Sequence, residues 1–230
     1  MQVYNFSAST KTGAEVTDER RKFKRESAKA RKEALILATL ELVAENGVRG
    51  ATVRGIAQRA DVTQGLIRHY FSSKEELIIA AYEHHMTAMT DQTFAPAAGV
   101  DGTALARLTA FVNASLTPPV VDPRSIALWA SFLNKVQQDP QMKATHERTY
   151  AYFRDFLEGL IAAALEEAGR PAAPARLRQL AIACNAVIDG LWLEGGALPD
   201  AFAPGELADI GRQSVAAITG LNLEQEAEKT

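Results

Sequence analysis

The chain is 230 residues long, 47 % hydrophobic and 23 % charged, with a formal net charge of −3. That balance suits a soluble globular fold with a substantial core and excludes a fibrous or wholly disordered chain. The lone cysteine, Cys184, excludes an internal disulfide framework and fits a reducing cytoplasm, no apolar run reaches the length of a bilayer span, and no secretory pattern opens the chain.

Residues 1–19 are rich in Ser, Thr and charge and lack hydrophobic periodicity, which predicts disorder. A basic run follows: Arg20, Arg21, Lys22, Lys24, Arg25, Lys29, Arg31 and Lys32, with Glu26 among them. It reads either as a solvated helix face or as an arm that touches phosphate or the minor groove. Charge is lopsided along the chain. Residues 1–80 hold fourteen Lys/Arg against ten Asp/Glu, the remainder eleven against eighteen. A basic front on an acidic body confines attraction for nucleic acid to one end.

The first helix is predicted from about Ala28 to Asn46, with Ile36, Leu37, Leu40, Val43 and Ala44 as its inner stripe and Gly47 as its left-handed cap. Thr52 then caps a short helix in which Val53, Ile56, Ala57 and Ala60 recur at i, i+3, i+4 and i+7. Asp61 and Val62 interrupt the pattern, and Thr63 caps a second short helix. There Leu66, Ile67, Tyr70 and Phe71 point inward and leave Gln64, Gly65, Arg68 and His69 outside. Ser72 and Ser73 stand at capping-box spacing from Glu75 and Glu76 and start a further helix. Two short helices joined by a tight turn, the second with a polar N-terminal face, form a helix-turn-helix reader of the major groove. On spacing alone the same pattern also fits a helical hairpin inside an ordinary bundle.

The residues themselves favour the reader. Thr52, Ile56, Ala57, Ala60, Val62, Thr63, Gly65, Tyr70, Phe71, Lys74 and Leu77 resemble the DNA-binding signature of the tetracycline-repressor (TetR) family of bacterial regulators. The run from Gly65 to Phe71 is similar to that of the choline-sensing, BetI-type subgroup. Two positions depart from the pattern. Asp61 stands where glycine is usual, so the turn needs a non-glycine solution, and Arg68 stands where many members have tyrosine. The resemblance implies an all-α, TetR-like fold of about nine helices. It implies a flexible basic arm over residues 1–26, a three-helix helix-turn-helix domain over 27–72, a ligand-binding and dimerisation domain over 73–220, and a tail over 221–230. In that frame Thr63, Gln64, Arg68 and His69 approach base edges, with Arg68 suited to guanine. Thr52, Arg54, Tyr70 and Lys74 hold phosphates and fix register.

No strand-like alternation of useful length occurs beyond the head. A helix from Ser73 to about Thr93, stopped by Pro96 and Gly99, is the single covalent link between head and body. Helices follow over Asp101–Leu116, from Asp122-Pro123 to Gln138, from Asp139-Pro140 to Ala168, from Pro174 to the Gly195-Gly196 pair, and from about Pro204 to Thr219, the Asp-Pro pairs supplying an N-cap and a proline at the first helical position. The last two are apolar over more surface than one layer of packing needs. The resemblance pairs them with their twins in a four-helix interface, with Gly211 and Ser214 at the contact; a purely internal core is the alternative.

Three aromatic or acidic pairs three residues apart each share a helix face: Trp129 with Phe132, Tyr150 with Phe153, and Asp189 with Trp192. Aromatic faces beside a carboxylate suit an organic cation, and Ile188 to Leu193 resembles the choline-sensing subgroup. The implied effector is choline or a related quaternary amine; the same aromatics also read as plain core, and an unrelated hydrophobic or anionic metabolite stays open. His84 and His85 project about 100° apart on a helix and make no chelating pair, so no metal and no cofactor is expected. No nucleophile triad, paired carboxylates or phosphate loop suggests an enzyme. The expected partners are double-stranded operator DNA, a small effector and a second copy of the chain, with no membrane. The expected function is cytoplasmic, ligand-released repression at a palindrome, against a non-regulatory helical scaffold.

Overall fold

Side-chain caps set most of the helix starts. Thr52 Oγ1 accepts from Gly55 N at 3.1 Å, Ser73 Oγ from Glu76 N at 3.1 Å, Thr103 Oγ1 from Ala106 N at 3.0 Å, and Asp122 Oδ2 from Ser125 N at 3.0 Å. Asp139 Oδ1 accepts from both Gln141 N and Met142 N. Each bond satisfies an amide that the helix leaves without a partner. The computed structural model describes residues 13–223, with side chains from Ala28 onward. Within them lie nine α-helices and no strand: α1 (Gly13–Gly50), α2 (Val53–Arg59), α3 (Gln64–Tyr70), α4 (Lys74–Ala98), α5 (Ala104–Ser115), α6 (Pro123–Gln138), α7 (Pro140–Glu167), α8 (Pro174–Ala197) and α9 (Glu206–Thr219). A single 3₁₀ turn, Pro199–Ala201, joins the last two.

Several expected boundaries move. The first helix begins at Gly13, so residues 13–26 of the expected arm are helical and continuous with α1. Residues 1–12, where disorder was also expected, lie outside the described residues. Gly47 breaks α1 at φ 68°, ψ 173°, a conformation that glycine adopts without a Cβ penalty. The α4 helix passes Pro96 and ends at Ala98; so close to the end, the lost N–H bond and the crowding of the preceding turn are felt by few residues. The Gly195-Gly196 pair does not end α8. Both glycines are buried inside it, and a Cβ at Gly195 or Gly196 would collide with Leu207 or Ile126 respectively. They are there to let α9 and α6 approach.

Two apolar clusters result. One joins α1 to α4 and draws in Leu128, Phe132 and Val136 of α6 and Met142 of α7. The other holds the end of α4 against α5, α7, α8 and α9. Head and body therefore share a core through α6, although α4 is their covalent link. The buried face of α1 is wider than the expected stripe and leaves out one of its residues. Leu40 and Val43 of the expected stripe are buried and Ile36 and Ala44 pack against the cluster, but Leu35, Ala38, Thr39 and Leu42 are buried as well and Leu37 is 45 % exposed, because α1 is covered from the sides of α4 and α6 rather than along one line. Leu221 and Leu223 are buried in the body cluster, so the start of the expected frayed tail is anchored. Cys184 is fully buried, and burial pushes its thiol up to about 11. By length and composition α8 is apolar enough to cross a membrane, contrary to the sequence expectation. Here one face of it, with Cys184, Ile188 and Trp192, is buried in the body.

Candidate functional site

The reading head is built around two buried residues of its second short helix. Ile67 and Phe71 are each 2 % exposed and seat α3 and its C-cap in the head core. Helical geometry then turns Thr63, Gln64, Gly65, Arg68 and His69 to solvent, and all five are exposed. Leu66 and Tyr70 are half-buried, and the Tyr70 ring meets His69 edge-on at 5.0 Å. The turn before α3 solves its missing glycine by placing Asp61 at φ 52°, since Asp tolerates the left-handed region better than most residues. Arg59 braces α2 against α1 through Glu41 at 3.0 Å and Glu45 at 2.8 Å. Lys32 of α1 lies 5.3 Å above the Phe71 ring. Of the expected phosphate contacts, Thr52 and Arg54 are exposed. Lys74 is half-buried and its Nζ donates to Val48 O at 3.4 Å. The exposed rim thus joins basic and polar side chains around one helix N-terminus, the geometry of a major-groove reader.

A second feature lies in the body. A cavity of about 70 Å³ opens between α4, α5, α6, α7 and α8, with Trp129, Tyr150, Phe153, Asp189 and Trp192 in its wall. The two indoles meet edge-to-face at 6.0 Å, and Trp192 Nε1 donates to Val120 O at 2.9 Å, which fixes that ring. Asp189 accepts from the Tyr150 hydroxyl and, at 2.8 Å, from Asn185 Nδ2. Burial pushes the carboxyl up to about 7, while the two donors favour its ionised form.

Phe132 does not belong to this wall. It is fully buried on the other side of α6, with its ring 5.1 Å from Tyr82 in the head cluster. Three helical residues span about 300°, so Trp129 and Phe132 point about 60° apart and straddle a ridge. Sequence reasoning also missed the α4 wall: Met86, Met89, Thr90 and Thr93. Their spacing at i, i+3, i+4 and i+7 was a legible face. Asn185 was missed too, one turn before Asp189.

Tyr82 links this region to the head. Its hydroxyl lies 2.6 Å from His146 Nδ1. Burial pushes Tyr82 up to about 12, so it keeps its proton and donates. Burial also holds His146 below the usual imidazole value, which leaves a neutral ring to accept. Elsewhere His85 is buried, pushed down to about 4 by desolvation, and its Nε2 has no hydrogen-bond partner.

Comparison with known proteins recognises both the head and the body as domains. Residues 35–81 match the family described as bacterial regulatory proteins of the tetR family, and residues 104–220 match the C-terminal domain of BetI-type transcriptional repressors. The HTH-type transcriptional regulator BetI of Burkholderia thailandensis is 31 % identical over 166 residues, 72 % of this chain and 81 % of that protein. A transcriptional regulator from Pseudomonas aeruginosa superposes with a TM-score of 0.76 at 31 % identity, over 84 % of this chain and 91 % of its own. A regulator from Saccharomonospora viridis, solved in complex with choline, shares the fold at TM-score 0.64 and 18 % identity, over 83 % of this chain and 96 % of that one. This chain belongs to the TetR family of helix-turn-helix transcriptional regulators and carries a BetI-type repressor C-terminal domain.

Proposed function

We propose that the protein is a homodimeric repressor of the bacterial cytoplasm that binds a palindromic operator and is released by a small organic cation. One observation carries the reading. The helix that bears the reading head also forms a wall of a cavity in which one half-buried carboxylate faces aromatic rings. Ring faces attract a cation by about 0.5–2 kcal/mol each, and the carboxylate adds a counter-charge in a site that water reaches poorly. A quaternary amine such as choline fits that chemistry, and the regulator from Saccharomonospora viridis that shares the fold was solved with choline.

The dimer reading rests on α8. Its solvent face carries Ile182, Ala186, Gly190, Leu193 and Ala197, all exposed, and a Cβ at Gly190 would have open space around it. An apolar face with small residues lets a twin helix approach closely. Gly211, expected at that contact, instead lies buried against Val112 and Leu116 of α5. Paired in this way, two heads about one DNA turn apart, roughly 34–36 Å, read a palindrome. Thr63, Gln64, Arg68 and His69 approach bases, while Thr52, Arg54, Tyr70 and Lys74 hold the backbone.

The test titrates the full chain against labelled DNA from upstream of its own gene, with excess competitor DNA, at two salt concentrations. A regulator keeps a specific complex at the higher salt, and a quaternary amine dissolves it. A basic surface without operator preference loses all binding as counterions compete. That outcome would favour the scaffold reading.

A further inference from the structure

A second and larger cavity, of about 400 Å³, lies between α1, α4 and the start of α6 at the junction of head and body. It shares Met89 with the effector cavity. The two are also bounded by neighbours in sequence. Thr90, Val120 and Trp129 line the effector cavity, and Ala88, Pro119 and Leu128 line the junction cavity. The partition between them is therefore one residue thick on α4, on the loop before α6 and on α6 itself. On α4 that residue is a methionine, unbranched, with three rotatable bonds and able to swing aside at small cost. Beyond it the junction cavity offers Leu37, Leu40 and Leu128, with Leu37 45 % exposed at its edge. His85, 7 % exposed, lines it with a ring nitrogen that has no partner.

The effector cavity is small for anything beyond a cationic head group. A cavity several times its volume stands behind a flexible side chain, and its lining is mixed: the three leucines, Ala88 and Pro119 offer an apolar track, while Glu41, His84, Gln92, Asp122, Arg124 and Ser125 complete the wall. We infer that the effector is an elongated alkylammonium ion: its cationic head occupies the aromatic cavity beside Asp189, and its apolar tail passes Met89 into the junction cavity and reaches α1. This rests on the cation reading above and goes beyond it in naming the ligand's length and its second contact. A tail in the junction cavity touches Leu37 and Leu40 of the head directly. Such a ligand has a contact on each side of α4, which is what an effector needs to prefer one arrangement of head and body over another.

The experiment is calorimetric titration of the full chain with tetramethylammonium and then with ethyl-, butyl-, hexyl- and octyltrimethylammonium. Each buried methylene raises affinity by about fourfold, so affinity climbs along the series until the junction cavity is filled. Two substitutions sit in the junction cavity alone. Ala88→Phe fills it, and Leu37→Arg puts a charge at its edge. Both flatten the series and leave tetramethylammonium bound as before. Met89→Ile, branched and stiff, lowers the ratio of octyl to methyl affinity. If Ala88→Phe fails to fold, Leu37→Arg at its partly exposed position carries the same comparison. Should tetramethylammonium bind and longer chains gain nothing, this inference falls and the cation reading stands. Should the gain persist in both junction variants, the tail lies elsewhere and the inference falls. Should no trimethylammonium ion of any length bind, both readings fall together.

Discussion

Asp189 ties the cavity to a measurable titration. Burial pushes its carboxyl from an ordinary 3.8 up to about 7. The folded value lies above the unfolded one, so the native state keeps a proton that the unfolded chain releases. Folding is thus disfavoured progressively as pH rises from about 4 to about 7, and the whole cost stands above that window. Three units at roughly 1.4 kcal/mol each give about 4 kcal/mol as an upper figure. Asp189→Asn removes the titration and keeps an oxygen to accept from Tyr150 and Asn185. The variant melts above the parent at pH 8, by about 2–4 °C per kcal/mol for a chain of this size, and has no such advantage at pH 4. Ligand binding runs the other way. A cation requires the ionised carboxylate, so it displaces a proton wherever Asp189 is protonated in the free protein. Affinity for tetramethylammonium, which has no titrating group of its own, rises about tenfold from pH 6 to pH 8 and levels off. Calorimetry in buffers of different ionisation enthalpy counts the released proton. His146 lies beside Tyr150 with rings 5.3 Å apart, and burial holds it below the usual imidazole value. A flat affinity between pH 6 and pH 8, or the same stability difference for Asp189→Asn at pH 4 and pH 8, would refute the assignment of Asp189 as the counter-ion.

Further outcomes test the other elements. Arg68→Ala costs about 1–3 kcal/mol of specific binding; fluorescence anisotropy would show the loss against the operator, with little change against scrambled DNA. Gly196→Ala puts a methyl into Ile126, inside the van der Waals contact of two buried helices, and lowers stability by about 1–3 kcal/mol in denaturant titration; an unchanged midpoint means the helices have room to spare. Ile182→Glu places like charges across the α8 face and yields a monomer in sedimentation with an unaltered helical spectrum, whereas a persistent dimer moves the interface elsewhere.

The head was legible almost residue by residue because its constraints are local. Thr52 and Ser73 in the head, like Asp122 and Asp139 in the body, are caps whose partners lie two or three residues away, and all four make those bonds, whereas Thr63, expected to cap α3, makes no side-chain cap bond. The wall of Trp129, Tyr150, Phe153, Asp189 and Trp192 was found from spacing and resemblance together. What failed is what depends on distant neighbours. Phe132 is drawn to Tyr82, fifty positions away in sequence, and nothing local to α6 announces that the helix serves two cores. Gly195, Gly196 and Gly211 read as stops or as contact points for a twin. Each instead makes room for a side chain of another helix in the same chain. Glycine at a close crossing and glycine at a helix end look alike until the partner is known.

The shared core would give the proposed release its physical form. The first part of α4, Leu77 to Tyr82, is buried in the head cluster, and the part from Met86 to Thr93 lines the effector cavity. From Asp189 the contacts run to Tyr150, His146 beside it, Tyr82 on α4, and Phe132 of α6 against Tyr82. Contact alone transmits nothing; coupling needs two arrangements of these groups that ligand and DNA prefer differently. The geometry supplies the competition. Tyr150 donates to the same carboxylate that a cation would claim, and it stands one helical turn from the histidine that holds α4. A ligand that shifts Tyr150 works against the Tyr82–His146 bond. A tenfold loss of operator affinity needs only about 1.4 kcal/mol of difference between the two arrangements, which is about the worth of one hydrogen bond in a folded chain. The response can therefore come from repacking a single buried seam, without swinging a free hinge, since α6 ties head to body in addition to their covalent link.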